Sequence, residues 1–155
     1  MMRIPTGFNA ELFQEFIRQR VEEILIEALT LLVEECRKNV PVDTGELRDS
    51  IHIEGPWRAS PFYIEGRVAA GGPGIPQAYF QEFGTAAHGP RTARVMHFFW
   101  KGEEIFTRWV RGNVPLAWMT NSANFVLPRV QALFKGLEKE FAGYVFVVTV
   151  KAPVK

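Results

Sequence analysis

Asp43-Thr44-Gly45 is the tripeptide that carries the catalytic carboxylate in aspartic proteases. Two such carboxylates at close range share one proton, because both cannot ionise together. A homodimer could supply the second. The surroundings argue against this chemistry. The tripeptide follows a helix stop at Pro41 and is flanked by Glu46, Arg48 and Asp49, whereas a protease would set it in an apolar β-loop. The competing reading is a turn, with the Asp side chain bonding backbone amides and the glycine taking a positive φ. His52 and Glu54 are two residues apart, so on a strand they share a face and could begin a metal site. His88 and His97 are the only other histidines, and no Cys/His pair has zinc spacing. Gly71-Gly72-Pro73-Gly74 lacks the Lys-Ser/Thr of a phosphate-binding loop. No G-x-S-x-G occurs, and Ser50 and Ser60 have no evident base. Nothing here supports an enzyme, and no catalytic residue, cofactor or metal is expected.

Basic and aromatic residues interleave further along. Arg91, Arg94, Lys101, Arg108 and Arg111 fall among Phe98, Phe99, Trp100 and Trp109. Such a pattern can track a phosphate backbone and stack bases. Glu103 and Glu104 dilute it, and strand alternation would turn many of the aromatics inward. The net charge is only +1 over 155 residues, so no global attraction to nucleic acid or acidic membranes is expected. Thirteen Phe and four Trp exceed what a small core usually needs, and surplus aromatics serve either a Phe-rich core or protein–protein contacts. The lone Cys36 excludes an internal disulfide and reads as a reduced, buried thiol. No apolar run approaches the roughly 18 residues of a membrane span. The segment from Met1 to Gly7 lacks the basic and apolar blocks of a signal peptide, so synthesis in a reducing cytoplasm is expected.

These residues need positioning. Leu12, Phe13, Phe16, Ile17, Ile24, Leu25, Ala28, Leu29, Leu32, Val33 and Cys36 follow the 3,4 spacing of one helical stripe. Asn9 is a good N-cap, Phe8 and Phe13 occupy the positions of a hydrophobic staple, and Pro41 forces the stop. The spacing predicts a helix over 9–39, about 45 Å long. Val21, Ile26 and Leu31 lie off the stripe and would either widen the core face or serve a neighbouring subunit. Strands are expected over 48–54 and 62–68, separated by a break at Pro56-Trp57. A short helix is expected from Pro76 to Gly84, and two more strands over 94–100 and 105–110. From about Asn121 the stripe Val126, Val130, Leu133, Leu137 and Phe141 predicts a second long helix, which Pro128 either kinks or starts. The β-branched and aromatic run 144–150 reads as a last strand. The fold class is α+β, with a long N-terminal helix and a C-terminal helix packed on a mainly antiparallel sheet. One domain is expected over 1–155, with a flexible start at 1–8, the long helix at 9–39 and sheet with helices at 47–150.

Three segments in order carry a resemblance. The first is Val40-Pro41-Val42-Asp43-Thr44-Gly45-Glu46-Leu47-Arg48-Asp49-Ser50-Ile51, directly after the long helix. The second is Tyr79-Phe80-Gln81-Glu82-Phe83-Gly84-Thr85. The third is Arg94-Val95-Met96-His97-Phe98, a turn, then Ile105-Phe106-Thr107-Arg108-Trp109-Val110. Together, over about residues 10–142, they resemble the head–tail joining, or neck and tail-completion, family of long-tailed bacteriophages. Two features depart from that family's pattern. Phe125-Val126-Leu127-Pro128 only loosely matches the usual start of its last helix, and so strong a final strand is unusual there. The resemblance implies a structural virion protein, without catalysis, made in the host cytoplasm and forming a ring between the connector and the tail tube. A tail terminator that caps the tube is the neighbouring alternative. Implied partners are copies of itself, expected as a hexamer, the connector or stopper, and tail-tube or terminator proteins. Passing DNA would be met without specificity, and a membrane not at all. Asp43, Thr44, Gly45 and Leu47 would then turn the chain from helix to sheet. Glu82, Phe83, Gly84 and Thr85 would end the short helix, with Phe83 as anchor and Gly84 left-handed. Contact surfaces would lie on loops 70–76 and 86–93, the hairpin and the last strand. Arg91, Arg94, Trp100, Arg108, Trp109 and Arg111 are the candidate interface residues.

Overall fold

The apolar stripe of the first segment folds as one 30-residue helix, α1 (Ala10–Asn39), in the computed structural model, which describes residues 9–100, 102–141 and 149–151. The Asn9 side chain accepts hydrogen bonds from the amides of Glu11 and Leu12 at 3.0 and 3.1 Å, satisfying donors that the first turn leaves orphaned. Arg37 and Lys38 complement the dipole in the last turn. After α1 come a one-turn helix α2 (Glu46–Asp49), strands β1 (His52–Ser60) and β2 (Tyr63–Ala69), helix α3 (Gln77–Phe83), strands β3 (Met96–Trp100) and β4 (Glu103–Thr107), and helix α4 (Trp118–Glu140). This is an α+β fold. Its strands form two separate antiparallel hairpins, β1–β2 and β3–β4, rather than one sheet.

α1 is the shared middle of the structure. Along its first two-thirds, Ile17, Ile24 and Ala28 pack on Val126, Val130, Phe134, Leu137 and Phe141. Asn39 donates to the Ser122 hydroxyl near one end of this pairing, and Arg20 to Glu140 at the other, so α1 and α4 run antiparallel. Val21 joins this core from off the stripe, whereas Ile26 stays 44% exposed. Along its last third, Val33, Cys36 and Val40 close a second core with Leu47, Ile51 and Trp118. Cys36 is fully buried, and burial pushes its thiol up to about 11. A third face of α1 meets β2, where a Cβ on Gly66 would come within 2.6 Å of the Leu29 side chain. Arg58, donating to Glu22, lashes β1 to the outside of α1 and holds the Glu22 carboxyl below its usual range.

Three local expectations are corrected. The strand expected from Arg48 is preceded by α2 and begins at His52, because Leu47 and Ile51 turn inward at helical spacing. Pro56-Trp57 does not end β1. The strand continues through a register shift between Glu54 and Trp57, which two-stranded pairing tolerates because Pro56 needs no partner on an edge. α4 starts at Trp118, and Pro128 neither starts nor ends it. Burial of Val126 and Val130 on either side outweighs the roughly 3 kcal/mol that an interior proline costs. The expected flexible start at 1–8, and the expected strand 144–150 apart from Thr149 and Val150, lie outside the described residues.

Leu137 is 1% exposed at the α1–α4 seam. Leu137→Ala should therefore lower stability by about 2–5 kcal/mol. Urea unfolding followed by helical circular dichroism reads this as a lower midpoint at unchanged slope.

Candidate assembly surface

The first motif is a hinge built on buried aliphatics. Val40, Leu47 and Ile51 are each under a tenth exposed and belong to the second core. Gly45 takes φ 91° and ψ −15° at the N-cap of α2, a left-handed position that favours glycine. The expected Asp side-chain bond is replaced. The Thr44 hydroxyl accepts the Glu46 amide at 3.4 Å, while Asp43 is exposed and makes no hydrogen bond among the described residues. Ser50 is the motif's bridge. Its hydroxyl donates to the Leu47 carbonyl at 2.7 Å and accepts the Gly71 amide at 2.8 Å, tying α2 to loop 70–76. Arg37 completes the corner by donating to the Ile51 carbonyl at 2.8 Å.

The second motif works through a residue other than the one expected to anchor it. Phe83 is half-buried and rests on Tyr79, with ring centroids 4.9 Å apart. Glu82 is the buried residue, at 5% exposure. Its carboxylate accepts the amides of Met119 and Thr120 at 2.8 and 3.1 Å and the Thr120 hydroxyl at 2.5 Å. These are donors in the first turn of α4, whose N-cap position is held by Ala117, a residue with no side-chain acceptor. Glu82 supplies both the missing cap and the negative charge that a helix N-terminus favours. Ala117 itself is left-handed at φ 49°, held there by its amide bonding the Glu82 carbonyl at 3.1 Å.

Gly84 is not in the left-handed helical well. It takes φ 73° and ψ 178°, a combination essentially confined to glycine. A Cβ there would lie 2.5 Å from the Asn113 carbonyl oxygen. Thr85 continues the contact, its amide donating to Asn113 and its hydroxyl accepting the Asn113 amide, both at 3.0 Å. Gly112 closes against the other side, where a Cβ would sit 1.9 Å from the Thr85 carbonyl oxygen. His88 and Val110 then pair by two backbone bonds. Residues 84–88 and 110–117 thus run as a laced double strap from α3 to α4, and β3–β4 projects from its end.

That hairpin makes no substantial contact with another helix or strand among the described residues. His97, Phe99, Glu104 and Phe106 share one face, with His97 stacked on Phe106 at 4.5 Å and bonded to Glu104 at 2.7 Å. Phe99, Phe106 and Trp109 are 62–68% exposed. Of the aromatics that strand alternation was expected to turn inward, Phe98 is half-buried but Phe99 and Trp109 are not covered, because no second layer packs on the hairpin among the described residues. Arg91, Arg94, Arg108 and Arg111 are all exposed and form no ion pair among the described residues. The Trp100 side chain lies outside the described residues. His52 and Glu54 do approach, at 3.5 Å, but Glu54 also pairs with Arg67 at 3.1 Å, and no group of three metal-ligating side chains occurs among the described residues.

Comparison with protein families gives a match over the first half of the fold. Residues 9–84 match the model of the HK97-gp10-like family, described as "Bacteriophage HK97-gp10, putative tail-component". Over that span the chain is similar to this family of phage tail components. The span takes in α1, the hinge motif and the second motif through Gly84. The strap after Gly84, the β3–β4 hairpin and α4 lie beyond it. No curated protein and no solved structure matches the chain significantly.

The geometry separates the motif residues by role. Glu82→Ala should cost about 1–3 kcal/mol, the penalty for stranding buried donors. Hydrogen exchange should quicken at the Met119 and Thr120 amides before the rest of α4. Asp43→Asn, at an exposed position, should leave stability within about 0.5 kcal/mol of the parent in the same denaturation assay.

Proposed function

We propose that this chain is a structural virion protein of the head–tail junction, a neck or tail-completion protein that joins the connector to the tail tube as a ring of its own copies. The match of residues 9–84 to a family of phage tail components is the observation that carries this reading. The surface is consistent with it. An exposed aromatic hairpin, flanked by exposed arginines, is carried on a laced strap and leaves Phe99, Phe106 and Trp109 free for a neighbour. Contacts between unlike patches close into rings when the rotation between subunits permits. The hexamer expected from the sequence, and the connector and tail-tube partners, belong to this proposal. The motifs have a mechanical part in it. Gly45, Leu47 and Ser50 fix the long helix to the rest of the fold, and Glu82 with Gly84 fixes the strap, so that a pushed hairpin transmits its load to α1 and α4 instead of folding back.

A phage lacking this gene should yield filled heads and separate tails, which purified protein should join in vitro. Immunogold labelling of joined particles should decorate the junction. Normal joining without the protein, or label confined to the tail tip or baseplate, would overturn the proposal. Asp43→Asn should join particles as well as the parent, whereas a catalytic Asp43 would make it inactive.

A further inference from the structure

Positive charge is concentrated in one part of this chain. α1 carries seven glutamates against four basic residues, a net charge of −3, while residues 91–111 carry five basic residues against two glutamates, a net charge of +3. From Gly84 to Leu137 the sequence holds no carboxylate except Glu103 and Glu104. The fold gathers four of the cations at the outer end of the strap. His88 pairs with Val110, and Met96 pairs with Thr107. Residues 89–95 therefore span the same gap as Arg108 and Trp109 alone, so the longer segment bulges outward with Arg91 and Arg94 on it. Arg108 lies across the base of that bulge, and Arg111 follows directly after Val110. The backbone around Arg108 is pinned. The Thr107 hydroxyl donates to the Trp109 carbonyl at 2.8 Å and accepts the Trp109 amide at 3.2 Å. All four arginines are exposed, and none has a hydrogen bond or ion pair among the described residues. The glutamates do not answer them. Glu104 is bonded to His97 at 2.7 Å and lies four residues along the chain from Arg108. That is about 13 Å of extended strand, beyond the roughly 8 Å screening length at physiological salt. Glu82 is buried, with its carboxylate taken up by the first turn of α4.

We infer that the outer end of the strap, through Arg91, Arg94, Arg108 and Arg111, binds the phosphodiester backbone of double-stranded DNA without sequence preference. A guanidinium forks onto two phosphate oxygens with parallel hydrogen bonds, and it stays charged at any working pH. Four of them with no carboxylate partner gain most against a polyanion. Duplex DNA presents one negative charge per about 1.7 Å of its axis and releases condensed counter-ions on contact. Contacts to phosphate position a protein but carry no sequence information. The inference rests on the junction reading above, which puts the chain where passing DNA would be met. It leaves the hairpin residues Phe99 and Phe106 to a neighbouring subunit. An acidic protein surface is the other claimant for the arginines. Interfaces between proteins are depleted of charge at their centres, and these arginines stand outside the hairpin whose Phe99 and Phe106 would form such a centre. Trp109, exposed beside Arg108, could stack on bases only where the strands are parted. A single strand is therefore the comparison that the test must include.

Fluorescence anisotropy of the full-length protein with a short labelled duplex of arbitrary sequence tests this. Four phosphate contacts should weaken binding about a hundredfold between about 50 and 200 mM salt, a slope of about −3 to −4 in log K against log salt. Arg91→Gln with Arg94→Gln, or Arg108→Gln with Arg111→Gln, should each make that slope shallower by about 2. All four together should abolish the salt-dependent binding. Arg129→Gln with Lys135→Gln removes the same charge from exposed positions on α4 and should leave the slope nearly unchanged. Helical circular dichroism of each variant should match the parent, since every substituted residue is exposed. A parent slope near zero, an equal effect of the α4 pair and the strap pairs, or tighter binding to a single strand of the same length would each overturn the contact. Strap variants that bind duplex like the parent but no longer join heads to tails would also overturn it, and would assign the arginines to an acidic protein partner. Joining by the parent separates the two proposals. A parent that joins particles yet ignores duplex sinks this contact and leaves the junction role standing. A parent that binds duplex through the strap but joins nothing does the reverse.

Discussion

α1 has to satisfy three neighbours along a single helix. A stripe of apolar residues can bury only about one face of a helix well, yet here α4 covers Ile17 to Ala28, the hinge covers Val33 to Val40, and β2 presses on Leu29. The helix meets this demand by length. Thirty residues give enough turns for the partners to be spread along its axis and not all stacked around one circumference. Leu32 lies where the two cores meet and touches both. Placing the other elements then follows from α1. α4 returns antiparallel along one flank, β1–β2 crosses another, and α2 seals the end.

This arrangement leaves the chain between α3 and α4 with a difficult task. It must leave the helix, carry a hairpin outward, and come back to start α4 at a fixed point on α1. The strap achieves it by glycine and backbone. Gly84 and Gly112 let two segments approach more closely than any side chain would allow, and the bonds of Thr85 and His88 to Asn113 and Val110 hold them there. The carboxylate of Glu82 then sits at the first turn of α4, where its charge and two accepted amides set the helix start. A buried carboxylate is costly unless its oxygens are satisfied, and three accepted hydrogen bonds meet that condition.

The surface chemistry follows from what the scaffold does not cover. β3–β4 lies beyond the span that matches the tail-component family and beyond the reach of either core. It keeps Phe99 and Phe106 in solvent, and the exposed Arg91, Arg94, Arg108 and Arg111 flank it along the chain.

Much of this was legible in the residues alone. Both long helices, the Asn9 cap and the two hairpins follow from interactions within about four residues, or from strand alternation, which a single stretch of sequence encodes. The extra turn at Leu47 and Ile51 was missed because two apolar residues four apart fit either helix or strand until a core selects one. The role of Glu82 was out of reach for a different reason. Its partners Met119 and Thr120 are 37 and 38 residues away, and nothing local distinguishes a capping carboxylate from a solvated one. The glycine requirement at position 84 likewise arises from Asn113 and Pro115. The contrast in charge between α1, at −3, and residues 91–111, at +3, is in the sequence. Which of these side chains stay exposed and which are paired was decided only by the fold, because tertiary packing determines which surfaces are left uncovered.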